Sequence, residues 1–142
     1  MKTDRPSFGF LLSNVARLMR GAFERELEGS KLTLAQARAL VYVSRNEGVR
    51  QVALAELLEV QPMTLARLLD QLAAAGLIER RADPADRRAF RIFLTRAADP
   101  SLDIIARASA AIHARALDGL SGADAQALMR ALETVHSNLS LP

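Results

Sequence analysis

Cysteine is absent from this chain of 142 residues. That excludes a disulfide framework, a thiolate metal site and a thiol redox switch. Half of the residues are hydrophobic, yet no apolar run approaches the roughly 18 residues that a membrane-spanning helix needs. The opening Met1-Lys2-Thr3-Asp4-Arg5-Pro6 lacks the apolar core and cleavage site of a signal peptide, so a cytoplasmic location is expected, with no membrane partner. There is no glycine-rich phosphate loop, and Ser13, Ser44 and Ser109 have no neighbouring histidine and acid to activate them. His113 and His136 stand apart from any Glu or Asp at ligand spacing. No catalytic residue, metal site or cofactor is therefore expected. Internal repeats, low-complexity segments and flexible linkers are missing as well, so residues 1–142 read as one domain, long enough to bury a core.

What the chain has in quantity is arginine. Of its 19 basic residues 17 are arginine, and the net charge is +3. Residues 61–96 hold seven arginines against four acids, a local excess equal to the net charge of the whole chain. A basic patch of this kind is the electrostatic footprint of phosphate binding. The planar guanidinium favours bidentate contact with phosphates or guanine edges. A solvated arginine-rich surface has the same composition, and composition does not separate the two.

The stretch carrying this charge reads QPMTLARLLDQLAAAGLIERRADPADRRAFRIFLT. Gln61-Pro62 suits a helix start, because proline's missing N–H has no partner at the first helical position. Leu65, Leu68, Leu69 and Leu72 form one buried stripe at helical spacing. Gln61, Thr64, Arg67 and Gln71 occupy the opposite face, and Gly76 ends the helix. Leu77-Ile78 begins a short strand, and Ala89 to Thr95 alternates as a half-buried strand does. Between them Ala82 to Arg88 reads as a polar turn that continues neither element. Helix, strand, arginine-tipped loop and strand together read as a winged helix-turn-helix.

Upstream, Phe8, Leu11, Leu12, Val15, Leu18, Met19, Ala22 and Phe23 recur at helical intervals until Gly29-Ser30 stops the pattern. Thr33 and Gln36 fit a capping box for a second helix that ends near Asn46-Glu47-Gly48. An extended piece from Val49 to Val52 leads into a compact helix, Ala53 to Leu58. Glu59-Val60 then makes the tight turn of a helix-turn-helix, whose second helix enters the major groove. Downstream, Asp99-Pro100-Ser101 starts a helix that runs to Gly119, and Ser121 to Asp124 caps a last helix carrying Leu128, Leu132, Val135 and Leu139. The expected architecture is mainly α, with about six helices and a small β wing.

With these residues in place, the chain resembles the MarR family of transcription regulators, and its SlyA-like branch in particular. The match is strongest in Leu54-Ala55-Glu56-Leu57-Leu58, in Gln61-Pro62-x-Thr64-Leu65-x-Arg67-Leu68-Leu69-Asp70, and in Asp83-Pro84-x-Asp86-Arg87-Arg88-Ala89 leading to Leu94-Thr95. The resemblance implies a homodimer built from dimerisation helices in residues 1–30 and 100–142. Residues 31–99 would then form the part that reads double-stranded DNA at a pseudo-palindromic operator, usually as a repressor. A helical dimerisation or adaptor protein of the same fold that reads no DNA is the alternative, and it would have no need of Arg67 or of Asp86-Arg87-Arg88.

On this reading Gln61, Pro62, Met63, Thr64, Arg67, Gln71, Arg80, Asp86, Arg87 and Arg88 form the DNA-binding set. Gln61 and Thr64 position phosphates near the positive helix end. Met63 either touches a thymine methyl or packs beneath the helix. Arg67 either grips guanine O6 and N7, a pair worth about 1–3 kcal/mol of discrimination, or holds a phosphate. Arg88 suits a narrow minor groove, and Arg87 a phosphate. Asp86 orients the wing arginine in the resembled family; capping the turn is its other role. Only one of Arg80 and Arg81 can face DNA. The resemblance also implies a small phenolic or aromatic carboxylate effector in a cleft bordered by the first, second and fifth helices. Ala37 and Val41 stand on the second helix, and the chain has no tryptophan. Arg17 and Arg20 either pair with such an anion or with Glu24 or Asp4.

Overall fold

Each element of the chain ends where its local chemistry gives out. The computed structural model describes residues 4–140 and 142, so the reading made on Met1 to Thr3 lies outside the described residues. Helix α1, Phe8–Glu26, starts where the Ser7 side chain accepts the Phe10 amide at 3.3 Å. Helix α2, Leu34–Arg45, has the reciprocal capping box of Thr33 and Gln36, with both bonds at 3.1 Å. Strand β1 is only Val49–Arg50, and helix α3 is Gln51–Leu58. The extended piece is thus two residues shorter than the expected 49–52. Its ladder ends at the Arg50–Arg91 pair, and beyond it the chain has no strand partner and coils.

Glu59 makes the turn in the left-handed conformation, with φ 55°. Helix α4, Pro62–Ala74, follows with proline in its first turn. Strands β2, Ile78–Asp83, and β3, Asp86–Leu94, then form the wing hairpin. The polar turn expected over 82–88 shrinks to Pro84-Ala85, and its other residues lie in strands β2 and β3. The reason is Asp83, which pairs with Asp86 after a register irregularity and is buried among arginines rather than solvated. A single 3-10 turn, Arg96–Ala98, leads to α5, Asp99–Ala116, and α6 is Gly122–Ser140. The Ser121 hydroxyl accepts the Asp124 amide at 3.1 Å at the start of α6.

Among the described residues the fold is therefore mainly α, with six α-helices and a three-stranded antiparallel sheet in the order β1-β3-β2. No described helix is long and apolar enough to cross a membrane. Leu40, Val43, Leu54, Leu65, Leu69, Leu72 and Ile92 are fully buried, so α2, α3, α4 and the sheet share one core. Each such side chain stabilises the fold by about 1.5–3 kcal/mol relative to exposure. That core fixes the rotation of α4, and its polar face is left outward.

The chain divides into two compact units, Met1–Ser109 and Ala110–Pro142. The first holds this core and the wing. Its helix α1 buries no residue, and Phe8, Phe10, Leu11, Val15, Leu18 and Met19 are all exposed. The second holds the end of α5 and all of α6, where Leu128, Met129 and Leu139 are exposed.

Candidate nucleic-acid interface

The start of α4 is open. Gln61 is its N-cap in an extended conformation, and no side chain caps the first-turn amides. Free amides and the helix dipole make this end positive. Gln61, Pro62, Met63, Thr64, Arg67 and Gln71 are all exposed, because Leu65, Leu69 and Leu72 turn the other face into the core. Met63, at 69% exposure, is not packed beneath the helix. The Gln71 side chain accepts a hydrogen bond from Gln36 Nε2 at 3.3 Å, linking the outward face of α4 to the capping box of α2.

The sheet register separates Arg80 from Arg81, which point to opposite faces of β2. Arg80 turns toward α4, where its guanidinium donates to Asp70 Oδ1 at 2.7 Å and to the Ala66 carbonyl at 3.2 Å. It braces the wing against the helix. Arg81 pairs with Glu79 and lies over the Phe93 ring, 3.9 Å from its centroid.

At the wing tip Asp86 Oδ1 accepts the backbone amide of Arg88 at 3.0 Å. This carboxylate shapes the turn; no ion pair joins it to the Arg88 guanidinium among the described residues. A cleft of about 460 Å³ lies between α3, the start of α4 and β3. Arg50, Val52, Pro62, Asp86, Arg88 and Phe90 are on its walls, so helix start and wing tip face one groove.

The charges sort by partner. Of the seven arginines in residues 61–96, Arg80, Arg81 and Arg91 stand beside Asp70, Glu79 and Asp83. Arg67, Arg87, Arg88 and Arg96 are exposed and ion-pair with no described residue. Three of these four free charges therefore sit on the outward face of α4 and on the wing tip, and the fourth, Arg96, stands on the 3-10 turn before α5. Asp83, Arg50 and Arg91 form a cluster that sequence reasoning missed. The only local signal was Asp83 before Pro84, a turn-forming pair that says nothing about a partner 33 residues away at Arg50.

A second, small cleft of about 100 Å³ is lined by Phe23, Ala37, Arg38, Val41, Tyr42 and Ile105, from α1, α2 and α5. Arg17 and Arg20 do not line it. Arg17 instead donates to Asn14 on its own helix at 3.5 Å.

Residues 32–90 match the sequence profile of the MarR family. Among solved structures, a MarR protein is 28% identical, with a TM-score of 0.85 over 98% of this chain and 94% of that one. The transcriptional regulator SlyA is 29% identical, with a TM-score of 0.82 over 95% of each chain. A MarR-family transcriptional regulator from Silicibacter pomeroyi is 28% identical, with a TM-score of 0.81 over 94% of this chain and 90% of that one. In profile over residues 32–90, and in fold and sequence over nearly its whole length, this chain is similar to the MarR-family transcriptional regulators, SlyA among them, which supports a part in DNA-binding transcriptional regulation.

Proposed function

We propose that the chain acts as a cytoplasmic homodimeric repressor on a pseudo-palindromic operator, with α4 in the major groove and the wing tip in the adjacent minor groove. The observation that carries this reading is the distribution of unpaired arginine. Arg67 projects from α4, and Arg87 and Arg88 project from the wing, while the arginines between them are taken up by carboxylates. Gln61, Met63, Thr64 and Gln71 are exposed beside Arg67 and complete the surface that meets the groove. Residues 31–99 form the reading part. Residues 1–30 and 100–142 form the dimer, which gives the exposed apolar face of α1 an occupant. A small aromatic carboxylate or phenol acts as effector at the cleft beside Ala37 and Val41, with Arg38 as the nearest cation. It regulates only if its affinity differs between the DNA-competent and incompetent states.

The test is fluorescence anisotropy with the promoter region of the protein's own gene against a scrambled duplex, at several salt concentrations. Preference for the promoter, with affinity falling steeply as salt rises, is expected. Equal affinity for both duplexes at every salt concentration would falsify sequence-specific reading. The same titration with salicylate, against sodium chloride of equal ionic strength, tests the effector. Coincident curves would leave only salt screening.

A further inference from the structure

Among the described residues Asp83 is the one polar or charged residue in the buried set, and its side chain has no exposed surface. A carboxylate taken out of water is costly unless it is paired and hydrogen-bonded. Its partners come from three segments. Within the tip, Oδ1 accepts the Ala85 amide at 3.0 Å. From the strand alongside, Arg91 Nε approaches Oδ2 at 3.4 Å. From outside the hairpin, Arg50 Nε meets Oδ2 at 2.7 Å. Arg50 is the N-cap residue of α3, the helix that leads into α4.

The apolar anchors of the hairpin are near its root, where Ile78 and Ile92 are in the core, while residues 84–88 are exposed. Besides the Arg50–Arg91 strand pairing and the Arg80 brace nearer the root, the Arg50–Asp83 pair links the tip to the helix-turn-helix, and Arg50 shares its cleft with Asp86 and Arg88.

We propose that Asp83 is a positioning residue for DNA reading: through Arg50 and Arg91 it sets the angle at which the wing tip carries Arg87 and Arg88 to the minor groove. It touches no DNA itself. Arg50 likewise acts through the wing: it stands half exposed at the cleft with its guanidinium turned to Asp83. This inference rests on the DNA-reading function proposed above.

The experiment uses the full-length chain and a duplex that it enriches from a random-sequence library. Asp83→Asn and Arg50→Gln are compared with wild type by circular dichroism, hydroxyl-radical footprinting and affinity. Both variants are expected to keep the helical spectrum and the central protection, to lose the flanking minor-groove protection, and to bind about tenfold more weakly. Arg50→Lys keeps the charge and is expected to restore part of the flanking protection. The decisive readout is a cycle with the double substitution Arg87→Ala, Arg88→Ala. If Asp83 acts through the tip, removing the tip arginines costs almost nothing further in the Asp83→Asn background, whereas independent effects add. Additive losses overturn the proposal, as does flanking protection that survives in Asp83→Asn. If Asp83→Asn does not fold, Arg50→Gln carries the same cycle. A wild-type protein that enriches no duplex overturns the DNA-reading function and this inference with it. One that enriches a duplex and shows additivity overturns the positioning role alone.

Discussion

Whether an arginine of this chain can reach a ligand depends on the carboxylate beside it. Arg81 is paired with Glu79 and stacked on Phe93, whereas Arg67 has no ion-pair partner among the described residues. Arg67→Ala is therefore expected to lower affinity for a preferred duplex and to relax base preference by about 1–3 kcal/mol. Arg81→Ala should leave both within experimental error. Anisotropy against single-base operator variants measures this, and equal losses in the two variants would contradict the sorting of charges. Asp83 carries a second expectation. The Ala85 amide chiefly, then the Arg50 and Arg91 guanidiniums, hold its carboxyl below the ordinary range, while burial opposes them. A pKa lowered on folding stabilises the folded state above the unfolded value, about 3.9 for aspartate, and that contribution is lost as pH falls through the folded value. The stability difference between wild type and Asp83→Asn should be constant near neutrality and shrink as pH falls below the unfolded value and through the lowered folded one. Urea unfolding at stepped pH reads it, and a flat difference would show that the carboxyl gains nothing from its setting.

Element ends follow from a handful of backbone positions. The turn between α3 and α4 depends on Glu59 at φ 55°, a left-handed conformation that costs an ordinary residue about 1–2 kcal/mol. Glycine adopts it freely but loses about 0.5–1 kcal/mol in chain entropy. Glu59→Gly should therefore raise stability by up to about 1 kcal/mol, seen as a higher melting temperature with an unchanged helical spectrum. A lower melting temperature would mean that the Glu59 side chain itself holds the turn. Capping signals at Thr33 and proline at Pro62 were legible in the sequence because a cap acts within one helical turn. The wing was less so. Residues 82–88 read as a loop by composition, and all but Pro84-Ala85 lie in strands because Asp83 finds its arginines on other elements.

A helix of 19 residues that buries none of them, and packs on the core only near its end at Phe23, leaves most of its apolar face exposed. Leu11 and Leu18 on that face are 52% and 58% exposed. The paired change Leu11→Lys, Leu18→Lys should leave the core intact and convert a dimer to monomer in sedimentation velocity. It should also weaken operator binding sharply, since two half-sites about 34–36 Å apart are read together only by a dimer. A protein that stays dimeric with both lysines in place would move the interface away from α1.

Hydrophobic spacing, helix caps and the arginine-rich segment could be read from the order of residues, since each depends on neighbours within one or two turns or strands. Fold class and the likeness to the MarR family followed from them, as did the outward face of α4 with Arg67 opposite Leu65, Leu69 and Leu72. The pairing of charges was decided only in three dimensions. Arg80 reaches Asp70 across a helix–strand contact, and Arg50 reaches Asp83 from a different element altogether. Ion pairing acts over a few ångströms of space and takes no account of distance along the chain. Which arginines remain free for DNA is therefore a property of the packed molecule.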